Sequence, residues 1–129
     1  MSVKVSQLSG PALDWSVGIA EEIPSMHLVD KPGKICVYGE VNGINFPFQP
    51  STDWSQGGQI IERERINIEG KVGWSPGSNA FGPYFKAWQG LHHDDPDVSE
   101  YGPTPLIAAL RCYVASKLGT EITVPKELQ

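Results

Sequence analysis

Between Ser51 and Arg65 the chain reads STDWSQGGQIIERER, residue types that suit recognition of a flat, polar molecule. Trp54 offers an aromatic face for stacking. Gln56 carries an amide that both donates and accepts, and Gly57 and Gly58 let a ligand approach the main chain closely. Glu62, Arg63, Glu64 and Arg65 follow as alternating charges. A tight turn before a strand accounts for the same residues without a ligand. The stretch is not a phosphate loop, because no Gly-Lys-Ser/Thr follows the glycines and no G-x-G-x-x-G follows a strand.

Two further features could hold an anion. Thr104, in GPTPL, stands where a helix begins, and the main-chain N–H groups of a helix start attract negative charge. Arg111, one residue before Cys112, lies at the border of the apolar stripe of that helix. Its stem can run along apolar surface and present the guanidinium to a carboxylate or a ligand. An internal Arg111–Glu62 or Arg111–Glu64 ion pair is the structural alternative. LHHDDPD collects His92, His93, Asp94, Asp95 and Asp97. Its spacing matches no zinc or calcium motif, so a solvated acidic loop is expected there, with no metal and no cofactor. No serine-hydrolase, zinc-protease or zinc-deaminase signature occurs, and no residue is assigned a catalytic role.

These residues must be positioned by a few elements. SGPALDWSVGIAEE predicts a helix over about 9–22, with Ser9 as its cap, Pro11 in its first turn and Leu13, Val17 and Ala20 on one face. KICVYGEVNGINFPF predicts a hairpin with a type I′ turn at Asn42-Gly43, its second arm broken by Pro47 and Pro50. Residues 60–68 read as a strand. Ile60, Glu62, Glu64, Ile66 and Ile68 would then share one face, an arrangement that sets two carboxylates among isoleucines. Residues 70–103, rich in Gly and Pro, read mainly as loop with a short strand around PYFKAWQ. The strongest pattern predicts a helix over 104–118, capped by Thr104, opened by Pro105 and closed by Gly119. Leu106, Ile107, Leu110, Val114 and Leu118 form its stripe, and EITV follows as an edge strand. The expected fold is α+β, a small antiparallel sheet packed with two helices, in a single loop-rich domain over residues 1–129.

Composition bounds the function. The chain has 129 residues, enough for a core without metal or disulfide staples. Hydrophobic residues make up 40% and charged ones 19%, which excludes a disordered chain. A net charge of −5 argues against long nucleic acid as a partner but leaves a small anion open. No apolar run is long enough to span a bilayer, and MSVKVSQLSG lacks the apolar core of a signal peptide, so a cytoplasmic location is expected. Cys36 and Cys112 sit in apolar surroundings and are expected to be reduced packing residues.

Three blocks carry a family resemblance: VKVSQLSGPALDWSV, PSTDWSQGGQIIERERI and GPTPLIAALRCYVASKLGTEITVP. In that order they resemble the NinX proteins of lambda-like phages; residues 25–46 and 72–101 do not share in the likeness. The resemblance implies a phage- or prophage-encoded accessory protein working in the cytoplasm of a bacterial host, and it supplies no catalytic residues. Small acidic phage accessory proteins commonly interfere with host defence or metabolism, an analogy of biology only.

Three readings follow. In the first, the protein is a non-catalytic binder that sequesters a small anionic, nucleotide-like molecule such as a defence signal. Trp54 would stack on a base, Gln56, Gly57, Gly58 and Glu62 would supply polar contacts, and Arg63 or Arg111 with the Thr104 helix start would hold phosphate. In the second, it is an inhibitor or adaptor that docks on a host protein. In the third it is a small hydrolase using Glu62 or Glu64 as general base. A homo-oligomer with a site between subunits is compatible with the first.

Overall fold

A computed structural model describes residues 2–77, 80–89 and 99–129. Among these, three α-helices and three small antiparallel sheets form an α+β fold. Strand β1 (Ser2–Lys4) pairs with β8 (Glu121–Thr123), joining the two ends of the described chain. Helix α1 (Gly10–Ala20) starts after Ser9, which keeps extended backbone but makes no side-chain capping bond.

The expected hairpin is present and gains a third strand. β2 (Ser25–Lys31) pairs with β3 (Lys34–Val41), which pairs with β4 (Ile44–Pro47). Asn42 and Gly43 take positive φ, 53° and 79°, as a two-residue primed turn requires. β4 ends at Pro47, which pairs with Tyr38, and one further main-chain bond follows, from Phe48 N to Val37 O at 2.9 Å.

The strand expected over 60–68 is instead the end of helix α2 (Trp54–Glu64). Asp53 explains the start, since its carboxylate accepts from Ser55 N at 2.9 Å and Ser55 Oγ at 2.6 Å. Gly57, Ile60 and Ile61 then face inward while Glu62 and Arg63 stay outside, so no carboxylate is set against the isoleucines. Gly57 is built into the packing: a Cβ there would meet the Pro50 carbonyl oxygen and the Leu106 side chain. Tertiary fit therefore outweighs the low helix propensity of two adjacent glycines. Arg65 closes the helix in left-handed conformation.

The segment read mainly as loop is largely sheet. β5 (Asn67–Trp74) pairs along its whole length with β6 (Phe81–Trp88), and β6 pairs with β7 (Ser99–Gly102). One glycine here marks a close approach of backbone to its neighbour. At Gly102 a Cβ would lie 2.7 Å from Ala108 N, so only glycine lets β7 come this close to the last helix. The acidic His-Asp loop, 91–97, lies outside the described residues.

Helix α3 (Pro105–Leu118) matches its expected bounds, with the Thr104 hydroxyl accepting from Ile107 N at 3.1 Å and Gly119 at positive φ. It is more central than a one-sided stripe predicts. Ala108, Ala109, Leu110, Cys112, Tyr113 and Val114 are all buried, packed by α1, by α2 and by the β5–β7 sheet. Val5, Leu13, Val17, Val37, Ile60, Ile66 and Ala87 complete the core. Cys36 and Cys112 are both buried, and no disulfide joins them.

Candidate functional site

The eight residues singled out from the sequence fall in three places. Trp54 and Gly58 meet at the start of α2. Trp54 is 56% exposed, and the indole edge lies 3.5 Å from where a Gly58 Cβ would stand. Gln56 is committed to the fold: its Oε1 accepts from Gln49 N at 2.7 Å and its Nε2 donates to Pro47 O at 2.8 Å. Gly57 is buried under Pro50 and Leu106.

Glu62 and Arg63 lie at the other end of α2, roughly 13 Å along its axis from Trp54 at 1.5 Å per residue. Glu62 is exposed. Arg63 donates to Glu21 (Nη1–Oε1 3.0 Å, Nη2–Oε2 2.5 Å) and, through Nε, to Glu64 at 2.9 Å. The Tyr113 hydroxyl also donates to Glu21, and Lys117 stands 3.5 Å from Glu64. This network ties the end of α1 to α2 and α3 beside a groove of about 560 Å³. Burial alone would raise the Glu21 carboxyl, but the Arg63 and Tyr113 hydrogen bonds outweigh it and hold the group below its usual range. Burial and the same carboxylate push the Tyr113 phenol up. The cations here already have carboxylate partners, which disfavours an added anion.

Arg111 stands elsewhere, roughly 200° around α3 from Tyr113 at 100° per residue. The ion pair with Glu62 or Glu64 is not formed. Helical rather than extended backbone over 60–64 carries both carboxylates to a different side of α3. Arg111 Nε instead donates to Leu8 O and Nη1 to Tyr101 O, both at 2.7 Å. These bonds fix the guanidinium against a cavity of about 460 Å³, lined by Arg111, Ser6, Ser75, Tyr84, Glu100 and Tyr101 among others. Nη2 makes no hydrogen bond among the described residues. Burial lowers the Arg111 pKa, partly offset by the Glu100 charge, and burial raises that of Glu100. The Glu100 carboxylate forms no hydrogen bond or ion pair among the described residues. The Tyr84 and Tyr101 rings, on the sheet face away from α3, stand with centroids 6.1 Å apart. Thr104 follows the cavity-lining Pro103, but its hydroxyl is occupied by the helix cap.

The family model described as Bacteriophage P22, NinX matches residues 4–117. The chain belongs to that family. The match runs through all three helices, both three-stranded sheets and the Arg111 cavity. The chain is thus a phage NinX-family protein, and among its described residues no helix is long and apolar enough to cross a membrane. No curated protein matches it.

Glu100, Tyr84 and Tyr101 were not among the expected site residues. The one local signal was SEYGPTP, a strand end running through Gly-Pro into a capped helix. That turn brings the strand's last residues back over the helix's second turn, where Arg111 lies. Glu21, Tyr113 and Lys117 had no such signal, since their grouping depends on three helices meeting.

Proposed function

We propose that this phage accessory protein is a non-catalytic binder that sequesters a small anionic, nucleotide-like molecule, and that Arg111 holds the anionic group. The observation that carries this reading is the Arg111 guanidinium. Two of its nitrogens are anchored on main-chain carbonyls, the third is unbonded among the described residues, and it borders a cavity within the size range of small-molecule sites. An anchored guanidinium loses little side-chain entropy on binding and matches phosphate geometry. Interference with a host defence signal is the role this chemistry and the phage origin suggest.

The binding position differs from the one the sequence favoured. Gln56 and Gly57 serve the fold, and Arg63 is held by Glu21 and Glu64. Trp54 and Gly58 stand apart from the Arg111 cavity, so a ligand there is read without them. Isothermal calorimetry against linear and cyclic nucleotides is the test. Binding is expected in the wild type and to weaken about tenfold or more in Arg111→Lys, which keeps charge but loses the planar fork. An absence of heat with every nucleotide, using folded protein, would sink the proposal.

One observation favours a second reading, docking on a host protein. Val72 is 79% exposed, and Trp74 and Phe81 are each 66% exposed at the end of the β5–β6 pair, with ring centroids 5.4 Å apart. Exposed aromatic clusters mark many protein interfaces. Under this reading a single host protein co-purifies in stoichiometric amount and is lost with Trp74→Ala; failure to recover one reproducibly counts against it.

A further inference from the structure

Glu100 and Arg111 line one cavity and influence each other electrostatically, yet they do not form an ion pair within 4 Å. Among the described residues the Glu100 carboxylate has no hydrogen-bond partner, and drawing it partly out of water costs its charged form free energy. A ligand that bridges the two groups would relieve that cost. It must present adjacent N–H donors to Glu100 and negative charge to Arg111. An ionised carboxylate only accepts hydrogen bonds, through two oxygens side by side.

Among the common bases, guanine alone presents two neighbouring donors on its Watson–Crick edge, N1–H and the N2 amino group. Adenine and cytosine each place a ring-nitrogen acceptor beside the amino donor, so the second carboxylate oxygen would face a lone pair. Uracil and thymine flank their single N–H with carbonyls. Resting on the nucleotide reading above, we infer that the preferred ligand is a guanine nucleotide, its base edge held by the Glu100 carboxylate and its phosphate by Arg111.

This placement is consistent with the geometry around the pair. Glu100 alternates with Tyr101 along β7 and shares with Gly102 the face toward α3, where Arg111 rises from its second turn. Tyr101 O, the acceptor of Arg111 Nη1, follows Glu100 directly in the chain, so one strand positions both groups. The cation also offsets repulsion between the carboxylate and a bound phosphate.

Calorimetry on the intact protein with guanosine, inosine and adenosine monophosphates tests the assignment. Inosine keeps N1–H but lacks the N2 amino group. Guanosine monophosphate is expected to bind about tenfold tighter than inosine monophosphate, as loss of one charge-assisted hydrogen bond predicts, and tighter still than adenosine monophosphate. Glu100→Gln, folded by circular dichroism, is expected to bring the three within about threefold of one another. Equal affinities in the wild type would leave the nucleotide reading standing and overturn the guanine assignment. A preference that survives in Glu100→Gln would also overturn it. Binding of none of the three would overturn the guanine assignment, while the nucleotide reading falls only if the full linear and cyclic panel also gives no heat.

Discussion

Replacing Asp14 by asparagine is expected to stabilise the protein at neutral pH and to leave it unchanged in acid. Asp14 lies in α1 with only 5% of its surface exposed, and its Oδ1 accepts from Ser51 N at 2.8 Å. Burial, the largest influence, outweighs that hydrogen bond and raises its pKa from 3.8 to about 6. Because the folded pKa lies above the unfolded one, the native state holds the proton more tightly, and stability falls as pH rises through the window from 3.8 to about 6. A rise of roughly two pH units at about 1.4 kcal/mol each gives a loss of about 3 kcal/mol, complete above that window. The asparagine of the Asp14→Asn variant does not titrate. Its Oδ1 still accepts from Ser51 N, and its amide can donate to Ser51 Oγ, a buried atom without a well-formed hydrogen bond. Urea unfolding of both proteins from about pH 4 to about pH 8 is the assay. The variant should match the wild type near pH 4 and gain up to about 3 kcal/mol by about pH 7, a midpoint shift of roughly 1–2 M urea. Taking the difference between the two proteins cancels the lowered carboxylates, Glu21 and Glu64, whose contributions run the other way. A difference that stays constant across the range, or a variant that gains nothing over the wild type toward neutral pH, would refute the reasoning.

The two adjacent glycines of α2 should respond with opposite signs. Gly58→Ala meets only ordinary contact with the Trp54 ring and should gain about 0.5–1 kcal/mol from helix propensity, whereas Gly57→Ala drives a methyl into the Pro50 carbonyl and Leu106 and should lose stability, both read by thermal unfolding. A double-mutant cycle on Glu21→Gln and Arg63→Met should return a coupling of about 1 kcal/mol, reduced because Arg63 is half exposed and weakened by salt. Cys36 and Cys112 are buried, and burial pushes the Cys112 thiol up to about 12. Neither should react with a thiol reagent at neutral pH until the protein is unfolded, with mass spectrometry counting the adducts.

Local chemistry written into the sequence determined several parts of this fold. Thr104, Pro105 and Gly119 bound α3 because a cap hydroxyl, a preset φ and a left-handed stop act within a few residues. Asn42-Gly43 specified its turn for the same reason. The family, too, was legible, since the three blocks lie largely within the matched residues. Alternating charges over 62–65 misled, because both periods can be drawn through so short a stretch and the deciding group was the Asp53 cap before it. The β5–β7 sheet was hidden by its glycines and prolines: Gly102 serves close approach to α3, while Gly70, Gly73, Gly82 and Pro83 sit inside the paired strands themselves. Only the tertiary structure decided which charges meet. Arg63 and Arg111 look interchangeable as candidates in the chain, yet one is closed by Glu21 and Glu64 while the other faces a cavity with Glu100. That difference arises because the two faces of α3 pack against different elements, and no window of neighbouring residues contains the information.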